Sequence, residues 1–147
     1  MTDLKGLASH DNLKAAFARE AGNASRYQYF ARIAEIEGFP GPAQLFRDLA
    51  ESCLCNAHGH LDFLKLVGDP FNDLPIGETA DNLMAAIAVG TDDGHNLYQD
   101  CAADAGRDGY ADIANWFATM ARSSINHTDK LHRALSHLTE SLGKEEA

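Results

Sequence analysis

The sequence has few cysteines, prolines and aromatic residues, and it has no long apolar run. Its 147 residues include three cysteines, four prolines and 8% aromatic residues. A small, odd number of cysteines does not suit a secreted disulfide framework, and their spacing is not that of a zinc finger. No run approaches the roughly 20 apolar residues of a membrane-spanning helix, and residues 1–6 contain no signal-peptide core. We therefore expect a cytoplasmic protein with free thiols and no membrane partner.

Positive charge is also scarce. The chain has 12 basic and 22 acidic residues, which gives a formal net charge of −10. A nucleic-acid groove needs positive charge, so we expect no nucleic-acid partner. The length suits one domain with one core, which we assign to residues 1–147.

Four segments carry apolar residues at intervals of three and four, the period of an amphipathic helix. They predict helices A to D over residues 10–37, 42–67, 79–106 and 109–140, roughly, with a fraying tail at 143–147. No stretch has the period of two that is typical of strands. Because residues 68–78 are rich in glycine, aspartate and proline, we expect a long crossover between helices B and C. The prediction is an all-α four-helix bundle built from two helical hairpins.

The second half of the chain repeats the first. Residues 12–18 read NLKAAFA and residues 82–88 read NLMAAIA, and Gly38-Phe39 matches Gly109-Tyr110 after one inserted residue, which we expect in the turn. Two such hairpins have a pseudo-twofold axis, so matched polar residues on their inner faces converge on one site. The matched pairs are Glu20 with Gly90, Cys53 with Ser124, and Asn56 with His127.

These matched residues lie on apolar helix faces, so we expect them to be buried. An isolated buried carboxylate costs several kcal/mol, so Glu20 must be protonated, hydrogen-bonded or bound to a cation, unless helix A rotates it towards solvent. His127 fits either a ligand or an ordinary core histidine. Asp93 points either inward or outward beside Asp92.

Several segments resemble the rubrerythrin family. They include NLKAAFARE at 12–20, RYQYFA at 26–31, AHGHL at 57–61, VGDP at 67–70 and IANWF at 113–117, and the resemblance extends over residues 4–138. It implies a ferritin-like bundle, usually a homodimer, that reduces hydrogen peroxide at a di-iron centre in oxidative-stress defence and works with a small redox partner. No Cys-x-x-Cys pair follows helix D, so we expect no rubredoxin iron.

The resemblance also implies seven ligand positions: a glutamate on helix A, Glu-x-x-His on B, Glu-x-x-Glu on C and Glu-x-x-His on D. This chain has Glu20 on A, Cys53 and Asn56 on B, Gly90 and Asp93 on C, and Ser124 and His127 on D. Because Cys53 and Ser124 replace the two bridging glutamates, a standard di-iron centre is not expected. Tyr27, Tyr98, Asn56 and Ser124 are expected to lie beside the remaining ligands.

Three functions remain open from the residues. In the first, Glu20, Cys53, Asp93 and His127 hold one iron or zinc ion. In the second, the protein is a metal-free binding or assembly scaffold; Glu20 is then hydrogen-bonded by His127 or Tyr27, and Gly90 leaves a small cavity. In the third, Cys53 is the catalytic thiol, which attacks peroxide to give a sulfenic acid; the negative charge of Glu20 opposes this because it raises a thiol's pKa.

Overall fold

The computed structural model describes residues 3–146. Met1 and Thr2, part of the opening segment in which we expect no signal-peptide core, lie outside the described residues, and so does Ala147. The helices are α1 (Ala8–Ile36), α2 (Pro40–Leu64), α3 (Thr79–Asp92), α4 (Tyr98–Arg107) and α5 (Ala111–Glu145), and a π-helical turn, Asp93–Leu97, joins α3 to α4. Residues 3–146 contain no strand, so the all-α prediction is confirmed. No helix within this range is long and apolar enough to cross a membrane.

The chain divides into two compact units, Met1–Asp73 and Leu74–Ala147. The first unit is a hairpin of α1 and α2, and the second is a hairpin of α3, the π-helical turn and α4 against α5. Equivalent glycines with positive φ, Gly38 at 83° and Gly109 at 84°, end the first helix of each hairpin. The two pseudo-repeated helical hairpins are thereby confirmed, and the assignment of residues 1–147 to one domain stays a prediction.

Five alanines and one leucine at seven-residue spacing form the buried stripe of the first hairpin. The stripe consists of Ala24 and Ala31 on α1 and Ala43, Ala50, Ala57 and Leu64 on α2. Larger residues that periodicity places on the apolar faces, such as Leu45 and Trp116, are exposed. Within a hairpin, the partner helix covers only a narrow stripe of a helix surface.

The inserted residue of the repeat lies inside the predicted helix C. Buried Ala24 and Gly94 match at a separation of 70 residues, whereas the stacked pairs Tyr27–Phe46 and Tyr98–Phe117 match at 71. The ring centroids are 6.0 Å apart in the first pair and 6.1 Å apart in the second. A π turn holds one residue more than an α turn, so Asp93–Leu97 accommodates the insertion. The expected insertion in the interhelical turn is therefore wrong.

The connection after α2 folds back along α1. Asp69 Oδ1 accepts a hydrogen bond from the backbone N–H of Phe71 over 2.8 Å. The ring centroids of Phe71 and Phe17 lie 6.0 Å apart. Lys14 Nζ lies 3.5 Å from Asp73 Oδ1. The predicted long, non-helical connection is confirmed.

The C-terminal helix is longer than predicted. Helix α5 continues to Glu145, so the expectation of fraying is wrong for residues 143–145. Lys144 lies in the last turn, where a positive charge interacts favourably with the helix dipole.

Candidate functional site

The first unit brings together a carboxylate, a thiol and an amide from facing helices. Asn56 Nδ2 on α2 donates to Glu20 Oε2 on α1 over 3.3 Å. The thiol of Cys53, one turn before Asn56, also interacts with the Glu20 carboxylate, which raises the pKa of the thiol. Two side chains that the repeat assigns to the same site therefore interact with one carboxylate.

Burial of this cluster is partial. Glu20 and Cys53 are half-buried and Asn56 is exposed, so the prediction that all three are buried is wrong. They lie at the margin of the alanine stripe, where the neighbouring helix covers only part of each side chain. Glu20 does follow one of the predicted alternatives, because it is hydrogen-bonded. Its partners within the unit are Asn56 and Cys53 instead of the expected Tyr27.

The environment of Cys53 favours its neutral form. Burial raises the pKa of the Cys53 thiol, and the hydrogen bond to Glu20 and the negative charge of that carboxylate raise it further. A thiol attacks peroxide as the thiolate, so a raised pKa lowers the reactive fraction at neutral pH. The surroundings of Cys53 therefore oppose thiol-based peroxide chemistry.

In the second unit the three predicted site residues differ in exposure. Asp93 is half-buried at the start of the π-helical turn, and burial, followed by the charge of Asp92, raises the pKa of its carboxyl group. Ser124 is half-buried on α5, whereas His127 is exposed. The expected burial of His127 is therefore wrong, and so is its reading as an ordinary core histidine.

Gly90 packs directly against Thr128. A Cβ atom on residue 90 would lie 2.5 Å from Oγ1 of Thr128. Thr128 is only 7% exposed, and its hydroxyl donates a hydrogen bond to the backbone carbonyl of Ser124 over 2.8 Å. The small cavity expected beside Gly90 is therefore wrong, because Thr128 fills the space. Thr128 is not among the predicted site residues, although its place one turn after Ser124 puts it on the same face of α5.

No group of three or more histidine, cysteine, aspartate and glutamate side chains suited to a metal is present in the part of the chain that the structure describes. Glu20 and Cys53 form a pair in the first unit, and Asp93 and His127 belong to the second. A single metal held by these four residues stays a prediction. Tyr27 and Tyr98 take equivalent places in the two units, each stacked on a phenylalanine.

Comparisons of the sequence with family models and with curated proteins find similarity to the same family. A family model described as Rubrerythrin matches residues 11–67 and 81–147. The chain is 31% identical over 141 residues to a rubrerythrin of Porphyromonas gingivalis, a match that covers 93% of this chain and 70% of that protein. It is 29% identical over 149 residues to a rubrerythrin of Clostridium perfringens, covering 95% and 76% of the two chains. A rubrerythrin of Nitratidesulfovibrio vulgaris is 32% identical over 132 residues, covering 86% and 69%.

Proposed function

Because the chain belongs to the rubrerythrin family, we propose that it is an oxidative-stress protein in which a site for one iron or zinc ion replaces the family's di-iron centre. The observation that carries the proposal is the hydrogen bond from Asn56 to Glu20, which brings the turn of α2 that holds Cys53 against Glu20 on α1. A carboxylate oxygen and a sulfur atom on facing helices are two suitable ligands for zinc or ferrous iron.

The donor set does not suit two irons. Gly90 has no side chain, and the Asn56 amide presents a hydrogen-bond donor to Glu20 where the family pattern has an imidazole. Ser124 and Cys53 stand at the positions of the bridging carboxylates. Too few anionic oxygens remain to offset the charges of two metal ions.

The proposed metal ligands are Glu20, Cys53, Asp93 and His127. The metal would act there as a Lewis acid or, as iron, as a one-electron redox centre. Cys53 must lose its proton to bind a metal ion, so the raised pKa of its thiol opposes metal binding at neutral pH. Asn56 then acts by orienting the Glu20 carboxylate through its amide hydrogen bond.

A metal-free binding or assembly scaffold is the second candidate function. It is favoured by the hydrogen bond from Asn56, which gives the Glu20 carboxylate a partner without a cation. Thiol chemistry at Cys53 ranks third, because the raised pKa of Cys53 keeps the thiolate fraction small. A homodimer, a cytoplasmic location and a small redox partner belong to the proposal as further expectations.

Cobalt(II) provides a direct test of the proposed site. Cobalt bound to cysteine gives an intense sulfur-to-metal absorption, and a tetrahedral site gives strong visible bands. We expect both in the purified chain titrated with cobalt(II), and we expect Cys53→Ala to abolish them. Cys55→Ala is the matched control, because Cys55 is an exposed thiol two residues away on the same helix. Spectra without these bands, or bands that survive Cys53→Ala and vanish in the control, would contradict the proposal.

A further inference from the structure

The crossing of α3 and α5 is unusually close around Gly90. A Cβ atom on residue 90 would approach Oγ1 of Thr128 to 2.5 Å, a separation that real Cβ atoms do not show, and Cβ of Thr128 to 3.7 Å, an ordinary contact. The obstacle is therefore the Thr128 hydroxyl alone. The backbone of α5 at this point leaves room for a side chain, since the carbonyl oxygen of Ser124 would be 3.9 Å away.

A hydrogen bond within α5 fixes the Thr128 hydroxyl, and a second close contact joins the helices one turn away. The Thr128 hydroxyl donates to the Ser124 carbonyl oxygen over 2.8 Å, and the residue is 7% exposed. One helical turn beyond Gly90, a Cβ atom on Gly94 would lie 2.8 Å from Cγ1 of Ile125. The helices are thus in close contact at two successive turns, and a side chain at position 90 would force Thr128 to leave its hydrogen bond or the helices to separate.

We infer that Thr128 is the specificity-determining residue that closes position 90 to a metal ligand. The resemblance implies a carboxylate ligand at position 90, and the Thr128 hydroxyl occupies the start of that side chain's path. This inference rests on the proposed one-metal function and gives its structural reason. A side chain at position 90 requires the Thr128 hydroxyl to move.

Thermal unfolding measures this coupling directly. Gly90→Ala is compared in three backgrounds: the unchanged chain, Thr128→Ala, and Thr128→Val. Valine keeps the branched shape without the hydroxyl, so it separates crowding from the lost hydrogen bond. We expect Gly90→Ala to lower the unfolding midpoint by roughly 5 °C in the unchanged and valine backgrounds and not to lower it in the alanine background. An equal decrease in all three backgrounds would overturn the inference.

Iron binding is the second readout. A chain with Cys53→Glu, Asn56→His, Gly90→Glu and Ser124→Glu regains the family's ligand types at four positions. We expect it to bind about two irons per chain only when Thr128→Ala is added. Two irons bound with Thr128 in place, or none in either chain, would overturn the inference. Failure of the proposed function is distinct: an unchanged chain that binds no metal at all leaves the unfolding comparison as it stands.

Discussion

Gly94 provides the sharpest stability prediction, because its side-chain space is already occupied by the neighbouring helix. A Cβ atom at residue 94 would lie 2.8 Å from Cγ1 of Ile125 and 3.3 Å from both the backbone nitrogen of Ile125 and the carbonyl oxygen of Ala121. Two of these three atoms belong to the backbone, so rotation of the Ile125 side chain relieves the 2.8 Å contact and leaves the two contacts of 3.3 Å. We expect Gly94→Ala to push the π-helical turn away from α5.

The expected size follows from two opposing terms. Overpacking in a close helix contact costs about 1–3 kcal/mol, whereas alanine in place of glycine favours an ordinary helix by about 0.5–1 kcal/mol. The π-helical turn has its own backbone geometry and gains less from alanine than an α-helix does. The net loss should be about 2 kcal/mol, which lowers the midpoint of thermal unfolding by roughly 6 °C for a chain of this length.

Gly22→Ala is the matched control. Gly22 lies inside α1, and a Cβ atom there would meet nothing within 4 Å, so only the helix preference changes. We expect this variant to raise the midpoint by up to about 3 °C. Calorimetry and circular dichroism on both variants give the comparison. A Gly94→Ala chain as stable as the original would refute the account of the α5 contact, and equal shifts for the two variants would show that helix preference alone governs them.

Two pH-dependent predictions follow from the raised pKa values. In a chain with Cys55→Ser and Cys101→Ser, the rate of alkylation of Cys53 should rise only at a pH above the usual thiol range. Adding Glu20→Gln should move that rise to lower pH, although the contribution of burial to the pKa remains. An alkylation profile that Glu20→Gln leaves unchanged would contradict the role of the carboxylate. For Asp93, the folded state holds the proton more tightly than the unfolded state, so its favourable contribution is present below the ordinary aspartate pKa and is lost as pH rises through the raised value. Asp93→Asn should therefore gain stability relative to the original chain between acidic and neutral pH, measured as a small rise in unfolding midpoint, and a loss over that interval would contradict the burial argument.

The features that the sequence predicts correctly depend on local patterns. Apolar periodicity and the glycine and proline breaks place the helix ends within a few residues over most of the chain. The Glu20–Asn56 contact is not among the predictions, although these residues lie at equal distances on either side of Gly38 and face each other in an antiparallel pair. Local rules therefore account for the elements, and the equal distances from Gly38 account for the register of the first hairpin once the structure is known.

The remaining features depend on how closely helices approach, which periodicity does not describe. The half-burial of Glu20, the exposure of His127 and the filling of the space at Gly90 by Thr128 each depend on the width of a helix contact. The π-helical turn did leave a sign in the sequence, because the repeat separation changes from 70 to 71 residues before the turn between hairpin helices is reached. A one-residue change within a helix is the mark of such a turn.

Elemental analysis of metal per chain tests most directly the proposal that the chain binds one metal ion, where the resemblance implies a pattern for two. Protein purified without chelators or affinity metals and reconstituted anaerobically with ferrous iron or zinc should contain about one metal per chain. The content should fall to near zero in Cys53→Ala and in His127→Ala and should be unchanged in Cys55→Ala. Two irons per unchanged chain would contradict the claim, and so would a metal content that does not depend on Cys53.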